Sequence, residues 1–297
     1  MPLDSMLTMM RHAKQGGYGL GYFEAWDAYS MEAVLEVAEE ESSPIILGFG
    51  GMMLDSEWLD ASGVELLGAI GSHYARKSRV PVSLILNEAQ TLEQTLQGID
   101  SGFNVVMLDT SAWEWDRAVE AVSELAKIAH ERGVTVEAEL GRLPDATTEG
   151  IDDTTAFLTD PSDAQSFIEL TGADCLAVSI GNVHLLTAHD APVNMNHLRA
   201  IHERVSIPLV IHGGTSFPAA SVAEAIQYGV AKFNVGTTLK KTFTEAIRCE
   251  VADWSPNVDV HEILGSHKER DLMVVGKRAM KERVRELLCL YGSNGRA

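Results

Sequence analysis

The sequence predicts an α/β protein, a single (β/α)8 barrel, on three observations. Short apolar runs alternate with amphipathic helical patterns between Gly19 and Leu239, the runs number eight, and each is followed at once by polar or glycine-rich residues. Strands separated by helices of this length must run parallel, and eight such units close on themselves with their functional face at the downstream strand ends. A chain of 297 residues suits one such domain over 1–297, with a C-terminal helical extension from about 255 to 297.

Each element has a local reason. Gly19–Phe23 is the first strand; Ser30 is expected to cap the helical pattern of Met31, Val34, Leu35, Val37 and Ala38, and Pro44 restarts the chain into strand two at Ile45–Phe49. A less regular stretch from Gly50 to Arg79 contains a helical run at Leu59–Tyr74. Strand three is read at Val80–Leu86, a helix from Thr91 to Gly102, and strand four at Val105–Leu108. Trp113–Arg132 is a long amphipathic helix ended by Gly133, and Val134–Leu140 is strand five. The polar segment Pro144–Thr155 is expected to be a mobile loop, after which Asp160 and Pro161 open the next helix. Strand six is Cys175–Ile180, followed by a helix around Asn196–Val205. Strands seven and eight, Pro208–Ile211 and Val230–Val235, flank a helix that Pro218 opens and Gly229 closes.

Composition narrows the function. With 45% hydrophobic residues the chain can bury a large core, and no apolar run approaches the ~18 residues of a membrane span. The start MPLDSMLTMMRHAKQGG lacks the basic-then-apolar order of a signal peptide, and Cys175, Cys249 and Cys289 are too few and scattered for a disulfide framework, so the expected location is the cytoplasm. A net charge of −20 repels nucleic acid and acidic membranes, leaving small anions held by local features as the plausible charged ligands.

The strand ends carry Glu24, Gly50, Asn87 with Glu88, Asp109, Glu137 with Glu139, His184, His212 and Asn234. A lone histidine at a strand end is more often structural than a ligand, but two imidazoles and a carboxylate converging on one mouth suit Zn²⁺ or a similar divalent ion, with Glu88 the best-placed third ligand after His184 and His212. Gly213 and Gly214 leave backbone N–H groups uncovered before a helix, an arrangement suited to phosphate, so a sugar phosphate is the expected small-molecule partner.

The segments YGLGYFEAWD, ESSPIILGFGG, VPVSLILNEA, GFNVVMLDTS, IAHERGVTVEAELGRL, TGADCLAVSIGNVH, IPLVIHGGTSFP and GVAKFNVGTTL, in this order, with the tail SHKERDLMVVGKRAMKE, resemble the class II ketose-bisphosphate aldolases, the fructose- and tagatose-bisphosphate enzymes. The resemblance implies a TIM barrel, a homodimer or homotetramer, and reversible cleavage of a ketose phosphate to dihydroxyacetone phosphate and an aldehyde. It also implies a divalent metal, zinc first, with manganese or magnesium as alternatives. His184 and His212 match two of the family's three zinc histidines, and Asn234 its ketone-contacting asparagine. The third zinc histidine follows the catalytic aspartate in an Asp-His pair, which here is Asn87-Glu88. Glu88 can still ligate a metal; Asn87 cannot act as the proton donor, which leaves that work to a neighbour such as Glu24.

Other positions depart from the family as well. Its strand-one asparagine is Glu24, its serine after strand two is Gly50, and the glycine after the second histidine is Leu185. At the phosphate site Gly213 and Thr237 are kept, Thr215 replaces serine, and an aspartate becomes Gly236. Arg270 stands where the family has an arginine that reaches the far phosphate, usually across a subunit interface. Glu149 and Asp145 lie where it has a mobile proton-abstracting glutamate. Three readings follow: a metal-dependent lyase with altered catalytic residues, a sugar-phosphate isomerase or epimerase that keeps enediolate chemistry, and an inactive binding protein.

Overall fold

The computed structural model describes residues 3–144, 146, 157–186, 189–252, 254 and 257–297. Eight parallel strands, β1 (Leu20–Glu24), β2 (Ile45–Gly50), β3 (Val82–Ala89), β4 (Val105–Leu108), β5 (Thr135–Leu140), β6 (Cys175–Val178), β7 (Leu209–Ile211) and β8 (Val230–Val235), form a closed barrel in chain order, with β8 pairing back onto β1. The α/β barrel read from the alternation is the fold.

The helices follow the expected plan with local differences. α1 (Met6–Gly16), which the sequence reading did not anticipate, is capped by Ser5 and ended by Gly17 in the left-handed conformation. Its Met6, Met9, Met10 and Ala13 join Leu20, Ile46, Val105 and Cys175 in one apolar cluster that plugs the upstream end of the barrel. α2 (Ala28–Glu40) begins at Asp27, whose carboxylate accepts from the Ser30 backbone N–H at 2.7 Å, while the Ser30 hydroxyl accepts from the Asp27 N–H at 2.9 Å. Ser30 is thus the returning half of a capping box and not the cap itself. The irregular stretch resolves into α3 (Ser56–Trp58), a π-helical turn at Leu59–Gly63 and α4 (Val64–Ala75).

Then come α5 (Leu92–Asp100), capped by Thr91, α6 (Trp115–Glu131), α7 (Pro161–Thr171) behind Asp160, α8 (Met195–His202), α9 (Val222–Gln227), α10 (Thr237–Ala252), α11 (Val260–Ile263) and α12 (Leu272–Tyr291). Among the described residues no helix is long and apolar enough to cross a membrane. The mobile-loop expectation falls mostly on 145 and 147–156, outside the described residues.

Alternation along the strands sorts the side chains. Phe23, Leu47, Leu84, Leu86, Val106, Val136, Leu176, Ile211 and Phe233 face the helices in the main core. The other face of each strand lines the barrel interior, and there Tyr22, Glu24, Asn87, Glu137, Glu139, His212, Lys232 and Asn234 occur in place of apolar residues.

Candidate active site

The strand ends bring four donors together. The ligand atoms of Glu88, Glu139, His184 and His212 all lie within 4.8 Å of one another. His212 Nδ1 stands 2.7 Å from Glu139 Oε2 and 3.1 Å from Glu88 Oε1, and His184 Nε2 is 4.0 Å from Glu88 Oε1. His212 Nδ1 and Glu139 Oε2 are buried and, despite their closeness, not aligned as a hydrogen bond to each other or to any other described group. Two imidazoles and two carboxylates aimed at a common point fit one divalent ion.

Glu88 reaches this point through a backbone irregularity. Strict alternation would send Asn87 and Glu88 to opposite faces of β3, yet the pairing with β4 jumps from Leu86↔Val106 to Ala89↔Leu108, and Glu88 has φ 52°. This bulge turns both side chains into the mouth, at the strain cost of a left-handed non-glycine residue, about 1–3 kcal/mol. Asn87 Nδ2 donates to Glu88 Oε2 at 2.8 Å, and Asn234 Nδ2 approaches Asn87 Oδ1 at 3.5 Å. Leu185, after His184, is left-handed as well, at φ 57°.

A second layer orients His212. Its Nε2 lies 3.0 Å from Glu137 Oε1, and Lys232 Nζ donates to both Glu137 oxygens at 2.8 and 2.6 Å, all fully buried. Burial works against the charge on Glu137, but Lys232 and His212 outweigh it and hold the carboxyl below its usual range. An ionised carboxylate only accepts, so the hydrogen on Nε2 points to Glu137 and Nδ1 is presented to the cluster. Burial likewise opposes charge on His212 and Glu88. The surrounding carboxylates nonetheless raise His212 well above the ordinary histidine range, and His212 with its neighbours lowers Glu88 to about 2. Three carboxylates against Lys232 and the His212 imidazolium leave the cluster an excess of negative charge that a divalent cation would meet.

A pocket of about 130 Å³ opens beside the cluster, lined by Tyr22, Glu24, Asn87, Glu88, His184, Leu185, His212, Gly213, Thr215, Asn234, Gly236, Thr237 and Lys240 among others. A side chain at Gly213 (φ 71°) would stand 2.5 Å from the Val183 carbonyl, so the chain turns there only with glycine. Gly214 N–H, expected to be uncovered for an anion, is instead bonded to Asn234 O at 2.9 Å because the turn after β7 packs onto β8, and the Thr215 hydroxyl accepts from Thr238 N–H at 3.2 Å, joining that turn to the start of α10. The Glu24 carboxylate is paired with Lys240, and burial raises its pKa above the ordinary carboxylate range despite that partner. A Cβ at Gly236 would overlap it and one at Gly50 would sit 3.3 Å from it, so these two glycines are what make room for Glu24.

The structure brings Asn87, Glu88, Glu24, His184, His212, Asn234 and the glycine–threonine turns together. Arg270 is not among the residues around the pocket; its guanidinium lies 3.6 Å from Glu262. Glu149 and Asp145 fall outside the described residues. The sequence reading placed Glu137 and Glu139 at the mouth without a role and missed Tyr22, Lys232 and Lys240. One signal was available: two glutamates two residues apart in an otherwise apolar strand share the buried face, and a buried carboxylate needs a partner.

A parallel barrel with imidazoles and carboxylates converging at its downstream mouth defines the class as a metal-dependent (β/α)8 enzyme. The family model described as fructose-bisphosphate aldolase class-II matches residues 4–296. The chain is 32% identical over 298 residues, covering all of both chains, to the fructose-bisphosphate aldolase of Staphylococcus epidermidis. Among solved structures, the YdjI aldolase of Escherichia coli K12 superposes with a TM-score of 0.81 at 28% identity over the whole of both chains. The fructose-bisphosphate aldolase of Campylobacter jejuni, at 20% identity over 100% of this chain and 97% of that one, shares the fold with a TM-score of 0.78. The chain belongs to the class II fructose-bisphosphate aldolase family of carbon–carbon lyases.

Proposed function

We propose that this chain makes and breaks a carbon–carbon bond in a ketose phosphate through an enediolate, on a site in which the family's Asp-His pair has become Asn87-Glu88. The observation that carries this reading is the convergence of Glu88, Glu139, His184 and His212, with two buried donor atoms 2.7 Å apart and not bonded to each other.

His184, His212 and Glu88, with Glu139 beside them, would hold one divalent ion, which supplies the charge that polarises a ketone and makes the neighbouring proton removable. A carboxylate in place of an imidazole lowers the charge of the ligand set by one, so zinc remains the first expectation and harder ions such as Mn²⁺ or Mg²⁺ gain relative to it. Gly213, Thr215, Gly236 and Thr237, with the start of α10, would bind the phosphate, and Asn234 the ketone side. Asn87 cannot exchange a proton with the aldehyde-side oxygen. Glu24, whose carboxyl burial raises above its ordinary range against the pull of Lys240, lies over Gly50 and Gly236 and is the acid we assign in its stead. We further propose that one barrel domain with its helical extension forms the chain, acting in the cytoplasm as a homodimer or homotetramer, where Arg270 would serve a neighbouring subunit.

Two rates from one metal-loaded preparation test this: solvent-deuterium exchange into dihydroxyacetone phosphate, and cleavage of fructose and tagatose bisphosphates. Exchange should persist, and in a Glu24→Gln variant cleavage of both bisphosphates should slow by the ~10²–10⁴-fold that a positioned acid normally provides while exchange is spared. Absence of exchange with every divalent ion would sink the reading.

A further inference from the structure

Two buried polar atoms in the pocket are left over by the arrangement above. The Tyr22 hydroxyl and Asn234 Oδ1 have no hydrogen-bonding partner among the described residues. Tyr22 is 3% exposed and Asn234 8%. They are register partners on the adjacent strands β1 and β8, both face the barrel interior, and both line the pocket that holds Asn87, Glu88 and His212. Asn234 turns its Nδ2 toward Asn87, which leaves Oδ1 as a free acceptor. Lys232 does not serve the phenol: its Nζ lies 5.0 Å from the ring centroid and is bonded to both oxygens of Glu137.

A buried hydroxyl or carbonyl oxygen without a partner costs about 1–3 kcal/mol. Phenylalanine would fill the place of Tyr22 with no such cost, so the phenol oxygen is not there for packing. Burial, reinforced by Glu24, Glu88 and Glu137, pushes the ionisation of Tyr22 well above the usual phenol range, so the oxygen keeps its hydrogen and can donate. A donor and an acceptor on neighbouring strands, facing one small pocket, match a group that accepts one hydrogen bond and gives another. An alcohol is such a group; a methyl or an ionised phosphate is not.

Resting on the aldolase-type reading of this site, we propose that Tyr22 and Asn234 form a subsite for a substrate hydroxyl. The phenol donates to the hydroxyl oxygen, the hydroxyl donates to Asn234 Oδ1, and Tyr22 is thereby a specificity-determining residue that favours hydroxylated over deoxy substrates. Sites built to bond a hydroxyl reject the analogue lacking it far more strongly than apolar pockets reject a missing methylene, because the site's own polar groups are then stranded.

The test compares wild type with Tyr22→Phe, both loaded with the same divalent ion, on two matched pairs. One pair is condensation of dihydroxyacetone phosphate with glycolaldehyde and with acetaldehyde. The other is solvent-deuterium exchange into dihydroxyacetone phosphate and into acetol phosphate, which has a methyl in place of the hydroxymethyl group. The expected result is that, in at least one pair, kcat/KM for the hydroxylated compound falls about 10- to 100-fold while that for the deoxy compound changes less than about threefold. A packing role for the phenol would move both members of a pair together. Equal changes within both pairs, or no change, would overturn the subsite while leaving the aldolase reading intact. A wild-type protein that neither exchanges nor condenses any of the four compounds overturns both. The melting temperature of Tyr22→Phe, expected at or above that of wild type because the orphaned oxygen is gone, checks that the variant is folded.

Discussion

Asn87 and Glu88 behave as one unit, since the Asn87 amide donates to the carboxylate beside it, which already shares its cluster with Glu139. Restoring the family's acid alone by Asn87→Asp would remove that donor and set two carboxylates against each other in a buried place. We expect a loss of about 1–3 kcal/mol in metal-free stability at pH 7. The sign with pH follows: repulsion raises the pair's first proton uptake above the unfolded value, so the penalty is present at neutral pH and shrinks as acidification returns a shared proton. Denaturant midpoints at pH 7 and pH 5 measure it. The double variant Asn87→Asp, Glu88→His should regain most of the loss, because an imidazole relieves the repulsion; a single variant as stable as wild type at both pH values would show that the two residues are not coupled.

At the scale of elements, β5 and β8 are tied across the barrel by Glu137 and Lys232, both inaccessible to solvent, and Glu137 in turn orients His212 just past the end of β7. Removing one member of a fully buried pair strands the other, so Lys232→Met should cost about 3–5 kcal/mol, whereas Lys232→Met combined with Glu137→Leu should cost clearly less than the sum of the single changes. Urea midpoints of the four proteins decide this. Glu137→Gln has a separate consequence. A neutral amide no longer dictates which imidazole nitrogen carries the hydrogen, and affinity for the divalent ion should fall about 10- to 100-fold in a metal titration. Unchanged affinity would place the orientation of His212 elsewhere.

For the whole molecule, the two ends of the chain are sewn together along α2 and α12. Lys277 bridges Glu32 at 2.7 Å and Glu36 at 2.5 Å, Lys281 bridges Glu36 at 3.0 Å and Glu40 at 2.7 Å, and Arg285 continues the ladder to Glu40 and Glu41. Tyr291 stacks on Phe233 of β8 at 4.6 Å, and the Ser43 and Ser293 hydroxyls meet at 2.9 Å. Burial works to raise Glu32, but hydrogen bonds from Lys277 and Tyr74 lower it, and Glu40 is lowered by Lys281; burial works to lower both lysines, but their glutamates raise them. The carboxylate contribution is therefore present above about pH 4.5 and lost as pH falls through the depressed values. The lysine contribution is present below about pH 10.5 and lost as pH rises through the elevated ones. These groups are partly exposed, so each pair is worth only about 0.2–1 kcal/mol and is screened by salt. Lys277→Gln with Lys281→Gln should lower the melting temperature by a few degrees in dilute buffer at pH 7 and by much less in 1 M salt. A salt-independent loss would assign these lysines to packing instead.

The sequence by itself determined the barrel, because hydrophobic period and turn residues are local properties: eight apolar runs, Pro161, Gly229 and the caps at Thr91 and Asp160 are readable one segment at a time. It also determined that His184, His212, Glu88 and Asn234 share a mouth, since a parallel barrel sends every strand end the same way. α1 was not legible, because its methionines are buried only against a surface that exists once the barrel has closed. The departures at Glu24, Gly50 and Gly236 read as three unrelated changes along the chain and become one in space, a carboxylate with the room made for it. That Asn87 and Glu88 both face inward depends on a bulge set by the β3–β4 pairing, and that Glu137 takes Lys232 as its partner depends on a contact between residues 95 apart. Tertiary structure decided these because they are distances between groups that local sequence does not bring together, and the energy of a buried charge or an unmet hydrogen bond is set by what stands across the barrel from it.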